Sequence, residues 1–487
     1  MSRRLIAESS WQGKGFLGSW KPLSGGIASV IEPATGRELV LTGCADAEDI
    51  AQACDIANQK QPEWNAMPYQ SRAEVFRRAA LILDEVREEA SEWIVRETGA
   101  IPPKAMFEID SLKHLLHEAA AMLTQSHGLV LPSQPGVTSI ARRVPHGVVG
   151  VISPFNFPLL LSSRSVLPAL AVGNAVVLKP DLRTPVSGGV VLASLLQQAG
   201  LPEGVLCVMP GAAEAGEALV TDHTVSMISF TGSTAVGRRV GELAGRHLKK
   251  VALELGGKNS FIVLDDADMD RAISGGSWAS WLHQGQICMS AGRHLIHRTI
   301  AAQYAARMAA KAEALPVGNP HMEAVAIGPL ISEQQAEKVE WIVNESIAQG
   351  AKLLAGGKRN GRFYSPTVLA DVTPDMPAFR EEIFGPVISI TAFDTDEEAV
   401  LLANDTEYGL SAGIHTADIG RGMAIAERLN VGLVHVNDQT VNDDGTMPMG
   451  GRGASGNGSR HGGPANWDEF SQWQWMTVRG EAPQYPL

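Results

Sequence analysis

Short apolar runs rich in β-branched residues alternate with amphipathic runs through the middle of this chain, and no other feature narrows its fold as much. The β-type runs lie at 138–144, 148–153, 175–179, 205–209, 226–230 and 250–254. Between them, 186–199, 214–220 and 235–246 place apolar residues at helical spacing. Strands that alternate with helices build a parallel sheet covered on both faces, because each crossover helix packs back onto the sheet. The alternation restarts after Gly257, with a strand at 261–264, a helix over most of 267–281, helices at 300–313 and 332–349 and a strand at 386–393. The expected fold class is α/β, with a second α/β unit over about 256–440.

Ahead of this region, 46–62, 69–98 and 108–124 read as helices. In the second, Val75, Ala79, Ile82, Leu83 and Val86 recur at helical spacing, and Thr98-Gly99 followed by Pro102-Pro103 ends it. The Gly-rich stretch 449–463 reads as a loop. The tail 470–478 alternates large apolar and polar residues, the pattern of an edge strand; pairing with another subunit and pairing within its own sheet are equally open. No internal repeat or low-complexity linker is evident. With 487 residues, the chain is long enough for two or three domains of about 150 residues.

The formal charge of −13 argues against a nucleic-acid surface, which needs a basic face. The four cysteines, at 44, 54, 207 and 288, are sparse and unpaired in spacing, so free thiols in a reducing compartment are expected, with no metal site. The amino terminus has two arginines but no apolar core of a secretory signal, and no run approaches the ~20 apolar residues of a membrane-spanning helix. A soluble cytoplasmic protein with no membrane partner is expected.

Cys288, in Leu282-His-Gln-Gly-Gln-Ile-Cys-Met-Ser-Ala-Gly-Arg293, lies in a small-residue stretch with no second cysteine nearby. A thiol in such a setting is a candidate nucleophile, although a free cysteine is more often an inert buried one. Glu254, followed by two glycines, is a candidate general base. In Ile228-Ser-Phe-Thr-Gly-Ser-Thr-Ala-Val-Gly-Arg238 a strand ends and Gly232, Ser233 and Gly237 open a helix, an arrangement that suits a phosphate or simply a corner. Lys179 ends a strand at the crevice where α/β proteins bind ligands, within reach of ribose hydroxyls, or is merely solvated there. Asn156, in Val151-Ile-Ser-Pro-Phe-Asn-Phe-Pro158, is either an oxyanion donor or a turn residue bonding its own backbone. Glu382 precedes Phe384 by two, so that a carboxylate could hold a ribose beside a packed ring; a capped turn is the plainer alternative.

Each motif alone is weak. In this order and spacing, Pro-Phe-Asn-Phe-Pro, Leu-Lys-Pro, Phe-Thr-Gly-Ser-Thr-Ala-Val-Gly, Glu-Leu-Gly-Gly-Lys, Gly-Gln-Ile-Cys and Glu-Ile-Phe-Gly-Pro resemble the NAD(P)-dependent aldehyde dehydrogenase superfamily over nearly the whole chain. Leu-Lys-Pro-Asp-Leu-Arg-Thr, the run around Cys288 and the tail Gly-Gly-Pro-Ala-Asn-Trp are most similar to bacterial benzaldehyde dehydrogenases. The resemblance implies a Rossmann-like cofactor domain (1–123 and 146–255), an α/β catalytic domain (256–440), a Gly-rich loop region (441–464) and a small β oligomerisation arm (124–145 and 465–487), in a homodimer or homotetramer. It implies Cys288 as nucleophile, Glu254 as base and Asn156, with the Cys288 backbone N–H, as the oxyanion hole. Lys179 and Glu382 would hold the riboses and Ser233 the pyrophosphate, with Gly232, Gly237 and Phe155 at the cofactor and Phe384 by the nicotinamide. Phe157, Leu160, Leu282, Ile287 and Met289 flank this chemistry and suit an apolar slot for an aromatic aldehyde.

Two departures from the superfamily pattern matter. The glutamate that many NAD-preferring members carry three residues after the lysine is Leu182 here, with Arg183 beside it, so NADP stays open next to NAD. Some members carry a second glutamate in the Gly-rich segment, proposed as a proton relay; here that region reads Gly-Asn-Gly-Ser-Arg-His, with Arg460 nearest its place. The alternatives are a CoA-acylating aldehyde dehydrogenase, an enzyme for aliphatic aldehydes or semialdehydes, a cysteine hydrolase pairing Cys288 with His283 or His294, and a catalytically silent protein on this fold.

Overall fold

The computed structural model describes Leu5 and residues 7–486; Arg3 and Arg4, the two arginines of the amino terminus, and Leu487 lie outside it. Two seven-stranded sheets and one three-stranded sheet organise the chain. In the first, the order is Lys250–Glu254, Val225–Thr231, Val148–Ile152, Ala175–Lys179, Leu206–Val208, Lys14–Leu17 and Trp20–Pro22. The first five are parallel, and the amino-terminal pair adds an antiparallel edge. These five strands are almost wholly buried, as a sheet covered by helices on both faces requires. From Val148–Ile152 the chain adds strands first to one side and then to the other. This reversal leaves a crevice at the carboxyl ends of Val148–Ile152 and Val225–Thr231, where open α/β sheets take ligands.

The second sheet runs Lys352–Ala355, Thr367–Ala370, Val387–Phe393, Arg293–His297, Ser260–Val263, Ser411–His415 and Leu433–Val436, parallel except for its first strand. Apolar clusters fill the faces of both sheets. One that includes Leu167, Leu192 and Val176 packs one face of the first, and one that includes Leu295, Ile342 and Phe379 packs against the second. Among the described residues, no helix is long and apolar enough to cross a membrane.

The expected α/β alternation is present, and the runs at 175–179 and 250–254 match their strands residue for residue. The helix expected at 108–124 begins earlier, as Pro102–Met122. Pro102 and Pro103 occupy its first positions, where a missing N–H costs nothing, so they start this helix as well as following the end of the previous one. The helix Tyr69–Thr98 stops at Gly99, whose φ of 69° closes the last turn. The tail strand Ser471–Arg479 pairs antiparallel with Val137–Pro145, which pairs with Gly128–Leu131. The strand therefore pairs within the chain and forms the edge of that three-stranded sheet. Its outward residues Trp473 and Trp475 are exposed.

Candidate active site

Two cavities meet at one loop. The first, of about 350 Å³, opens at the crevice of the first sheet and is lined by Phe155, Lys179, Gly232, Ser233, Glu254, Glu382 and Phe384 among others. The second, of about 290 Å³, is lined mainly by apolar side chains, including Phe157, Leu160, Leu282, Ile287 and Met289. Asn156, Leu161 and Cys288 line both. A group bound in one cavity and a group bound in the other would therefore meet at Cys288.

The thiol loop is shaped by backbone geometry that few residues tolerate. His283, Gln284 and Gly285 all have positive φ, at 49°, 58° and 69°. Such strain persists only where the surroundings over-determine it. Gln284 donates from Nε2 to the carbonyls of Gly99 (2.7 Å) and Pro329 (2.9 Å), and the Oε1 of Gln286 accepts from the Ile331 N–H (3.0 Å). Asn259, just ahead of the strand Ser260–Val263, donates from Nδ2 to the carbonyls of Cys288 and Ser290, both at 2.8 Å. Its Oδ1 accepts from the Ser411 N–H at 2.9 Å. Gly257 must lack a side chain, because a Cβ there would sit 2.4 Å from the Cys288 carbonyl oxygen.

Cys288 is part-exposed. Burial, then the carboxylates of Glu382, Glu254 and Asp443, push its thiol up to about 12, so its surroundings keep it protonated near neutrality and a base must take its proton. Glu254 ends the strand Lys250–Glu254 at the same cavity. Both of its carboxylate oxygens are buried with no hydrogen-bond partner among the described residues. Burial raises it well above the ordinary 4.5, against the opposing charges of Arg164 and Arg460. A carboxylate held in this way is a stronger base than one in water, and it is the group suited to activate a thiol or a water. Arg460, at the place of the relay glutamate, donates to the carbonyls of Gly451 and Ser459, so it braces the Gly-rich segment. Asn156 is 3% exposed; its Nδ2 donates to the Gln286 carbonyl at 2.9 Å, which leaves its second N–H for a ligand.

On the cofactor side, Ser233 caps the helix Thr234–Arg246, accepting from the Val236 N–H at 3.4 Å. A helix start at a crevice, with Gly232 beside it, suits a phosphate. Lys179 ends its strand at the cavity; burial pulls its amine down while Asp181 pulls it the other way. Glu382 accepts from the Gly257 N–H at 3.0 Å, and a Cβ on Gly256 would sit 2.4 Å from its carboxylate. Phe384, with φ 55°, packs edge-on to Phe155 at 5.9 Å. Arg183 lies 4.2 Å over Phe155 and is held by Asp181. These features fit a dinucleotide. Gly237 does not line the cavity; its bare Cα lets the helix approach Leu255, whose Cδ2 would lie 2.2 Å from an added Cβ.

Several contributors were missed from sequence. Gln335 donates to the carbonyls of Ile383 and Phe384, and Lys338 to that of Glu382, so the helix Glu333–Ala348 grips the Glu382–Phe384 segment. Arg164 forms a bidentate pair with Asp443 (2.6 and 2.5 Å) at the wall of the apolar cavity. Phe107, Trp278 and Met449 complete that wall. Nothing in helical periodicity distinguishes such residues from ordinary surface or core.

A profile of the aldehyde dehydrogenase family matches residues 20–476. The chain is 52% identical over 483 residues to a vanillin dehydrogenase of Amycolatopsis sp., covering 99% of each chain. It is 50% identical over 478 residues to the benzaldehyde dehydrogenase [NAD(+)] of Pseudomonas putida, covering 98% of each. It superposes with a TM-score of 0.93 on an NAD+ complex of an aldehyde dehydrogenase from Bacillus cereus, at 33% identity and 96% coverage of both chains.

Glu254 makes a prediction in which stability and activity move in opposite directions. Its folded-state proton affinity is raised, so its contribution to folding is fully present below about pH 4.5 and is lost as pH rises through the folded value. Glu254→Gln cannot ionise. Its Tm should exceed that of the parent by a margin that widens as pH rises above about 4.5, while its turnover collapses. A Tm difference that is constant with pH would contradict the unpartnered, proton-hungry carboxylate.

Proposed function

The chain belongs to the aldehyde dehydrogenase family, and we propose that it oxidises an aromatic aldehyde of the benzaldehyde type to the carboxylic acid with NAD as the electron acceptor. The observation that carries this reading is the shared lining of the two cavities by Cys288 and Asn156. One cavity has the polar fittings for a dinucleotide; the other has the size and apolar walls for a ring. When bound, the oxidised nicotinamide takes up the two electrons that the aldehyde gives up. NAD is favoured over NADP because the relative from Pseudomonas putida is a benzaldehyde dehydrogenase [NAD(+)] and because Arg183 is already engaged by Asp181 and Phe155.

The residues of the chain do the rest. Glu254 takes the thiol proton, and the Cys288 thiolate attacks the carbonyl carbon. The Asn156 amide, with the backbone N–H of Cys288, stabilises the resulting oxyanion; donors of this kind are typically worth about 3–4 kcal/mol each. Oxidation leaves the acyl group on Cys288 as a thioester. Glu254 passes the thiol proton on to solvent and then draws a proton from water, the hydroxide attacks the thioester, and the acid leaves with the thiolate restored. Lys179 and Glu382 hold the riboses, Ser233 and Gly232 receive the pyrophosphate, and Phe155 and Phe384 frame the nicotinamide end. Phe157, Leu160, Leu282, Ile287 and Met289 receive the ring. The unpaired edge of Ser471–Arg479, with Trp473 and Trp475 exposed, supports a homo-oligomer built through the arm formed by 124–145 and 465–487. Four free thiols suit a cytoplasmic, reducing setting. Oxidation of aromatic aldehydes places the protein in the breakdown of aromatic compounds.

Cys288→Ala should abolish oxidation outright. In the parent, benzaldehyde should show kcat/KM at least about tenfold above acetaldehyde, since burial of a ring in the apolar cavity adds well over 1.4 kcal/mol. Activity that survives in Cys288→Ala, or a preference for acetaldehyde, would overturn the reading. Light scattering should report a dimer or tetramer that Trp475→Glu weakens; a monomeric parent would rule out the arm interface.

A further inference from the structure

One charged pair lies behind the oxyanion site and takes no part in the chemistry described so far. Lys104 and Glu108, one turn apart on Pro102–Met122, have fully buried side chains and pair at 2.5 Å. The Lys104 ammonium also donates to the backbone carbonyl of Asn156 at 2.5 Å and lies 4.2 Å over the ring of Phe157. The other oxygen of Glu108 accepts from the N–H groups of Leu159 (3.0 Å) and Leu160 (3.1 Å). Those two N–H groups belong to the first turn of the helix Pro158–Val172, which has no side-chain cap of its own. A single pair therefore fixes both ends of the segment 156–160: a cation on its first carbonyl and an anion on the helix start, where the helix dipole favours negative charge.

Two charges buried together gain little over apolar side chains of the same volume. What apolar residues could not supply is three directed hydrogen bonds onto this backbone. Their common effect is to set where the Asn156 side chain leaves the chain. Its amide is held at one end only, through Nδ2 to the Gln286 carbonyl. We propose that Lys104 and Glu108 are positioning residues that aim the Asn156 amide at the carbonyl oxygen of the substrate on Cys288. The inference rests on the reading of Asn156 as oxyanion donor.

A double-mutant cycle on the full-length enzyme, assayed with benzaldehyde and NAD, tests it. Asn156→Ala should lower kcat by about 10²–10³-fold. Lys104→Met should lower kcat by roughly 10–100-fold, with KM changed less than about threefold, because a donor misplaced by about 1 Å loses most of its effect. In the Asn156→Ala background, Lys104→Met should change kcat by less than about twofold, since the group it positions is gone. Glu108→Gln, which changes a single atom and keeps an acceptor for Leu159 and Leu160, runs through the same cycle and stands in if Lys104→Met does not fold. Effects that multiply in the double variants would overturn the inference, because a structural role acts whether or not the amide is present. So would a rise in KM alone, which would make Lys104 a wall of the apolar cavity and nothing more. If Asn156→Ala keeps the parental kcat, the oxyanion reading falls and takes this inference with it. If Asn156→Ala is impaired while Lys104→Met and Glu108→Gln are not, only the positioning role falls.

Discussion

A thiol can capture a carbonyl only if the loop that carries it is held still, and here one buried amide does much of the holding. Asn259 spends both N–H groups on the carbonyls of Cys288 and Ser290 and its oxygen on the Ser411 N–H. It thereby ties the thiol loop to two neighbouring strands of the second sheet, Ser260–Val263 and Ser411–His415. The left-handed turn at His283–Gly285 feeds into that loop and is fixed from outside by Gln284 and Gln286. The cofactor-side groups come from the first sheet and from the Glu382–Phe384 segment. The site therefore lies where the carboxyl ends of strands in the first sheet (Lys179, Glu254) meet the amino ends of strands in the second (Ser260, Arg293, Ser411), and Cys288 lies between them.

Around the loop the protein leaves polar groups in conditions that cost stability. Both oxygens of Glu254 and the Nζ of Lys258 are buried with no partner among the described residues. Burial drives the first well up and the second well down from their ordinary values. Groups kept in this way are poor material for a stable core, and they concentrate where reactions are run. Lys104 and Glu108 show the opposite solution, charges buried with every bond directed. The same region thus holds one buried carboxylate, Glu254, with no partner among the described residues, and another, Glu108, with both oxygens engaged.

Much of this was legible before any coordinates. Strand–helix alternation identifies the α/β class, and the glycine-flanked Cys288 and Glu254 stand out as chemistry-bearing. Lys179 is readable because a polar residue ends a wholly apolar strand, Ala175–Lys179. What was hidden follows a physical pattern. The strands Lys14–Leu17 and Trp20–Pro22 are short antiparallel edge pieces with too few residues to show alternation. Gln335 and Lys338 sit among the charges of an amphipathic helix and look solvated, although both reach across to a backbone. Lys104 and Glu108 have the spacing of an exposed helical ion pair, and only the packing of Pro158–Val172 against them reveals that they are buried. Gly237 also has a packing reason that the sequence does not show: its bare Cα admits the side chain of Leu255.

Covalent capture by Cys288 followed by release through Glu254 is the core of the proposed reaction. The most direct measurement is intact-protein and peptide mass spectrometry of Glu254→Gln mixed with benzaldehyde and NAD. It should show a benzoyl group accumulating on the peptide that contains Cys288, formed more slowly than in the parent because the thiol has lost its base, with up to about one NADH per site before turnover stalls. NADH released stoichiometrically with free benzoate and no adduct, or an adduct on any other residue, would contradict it.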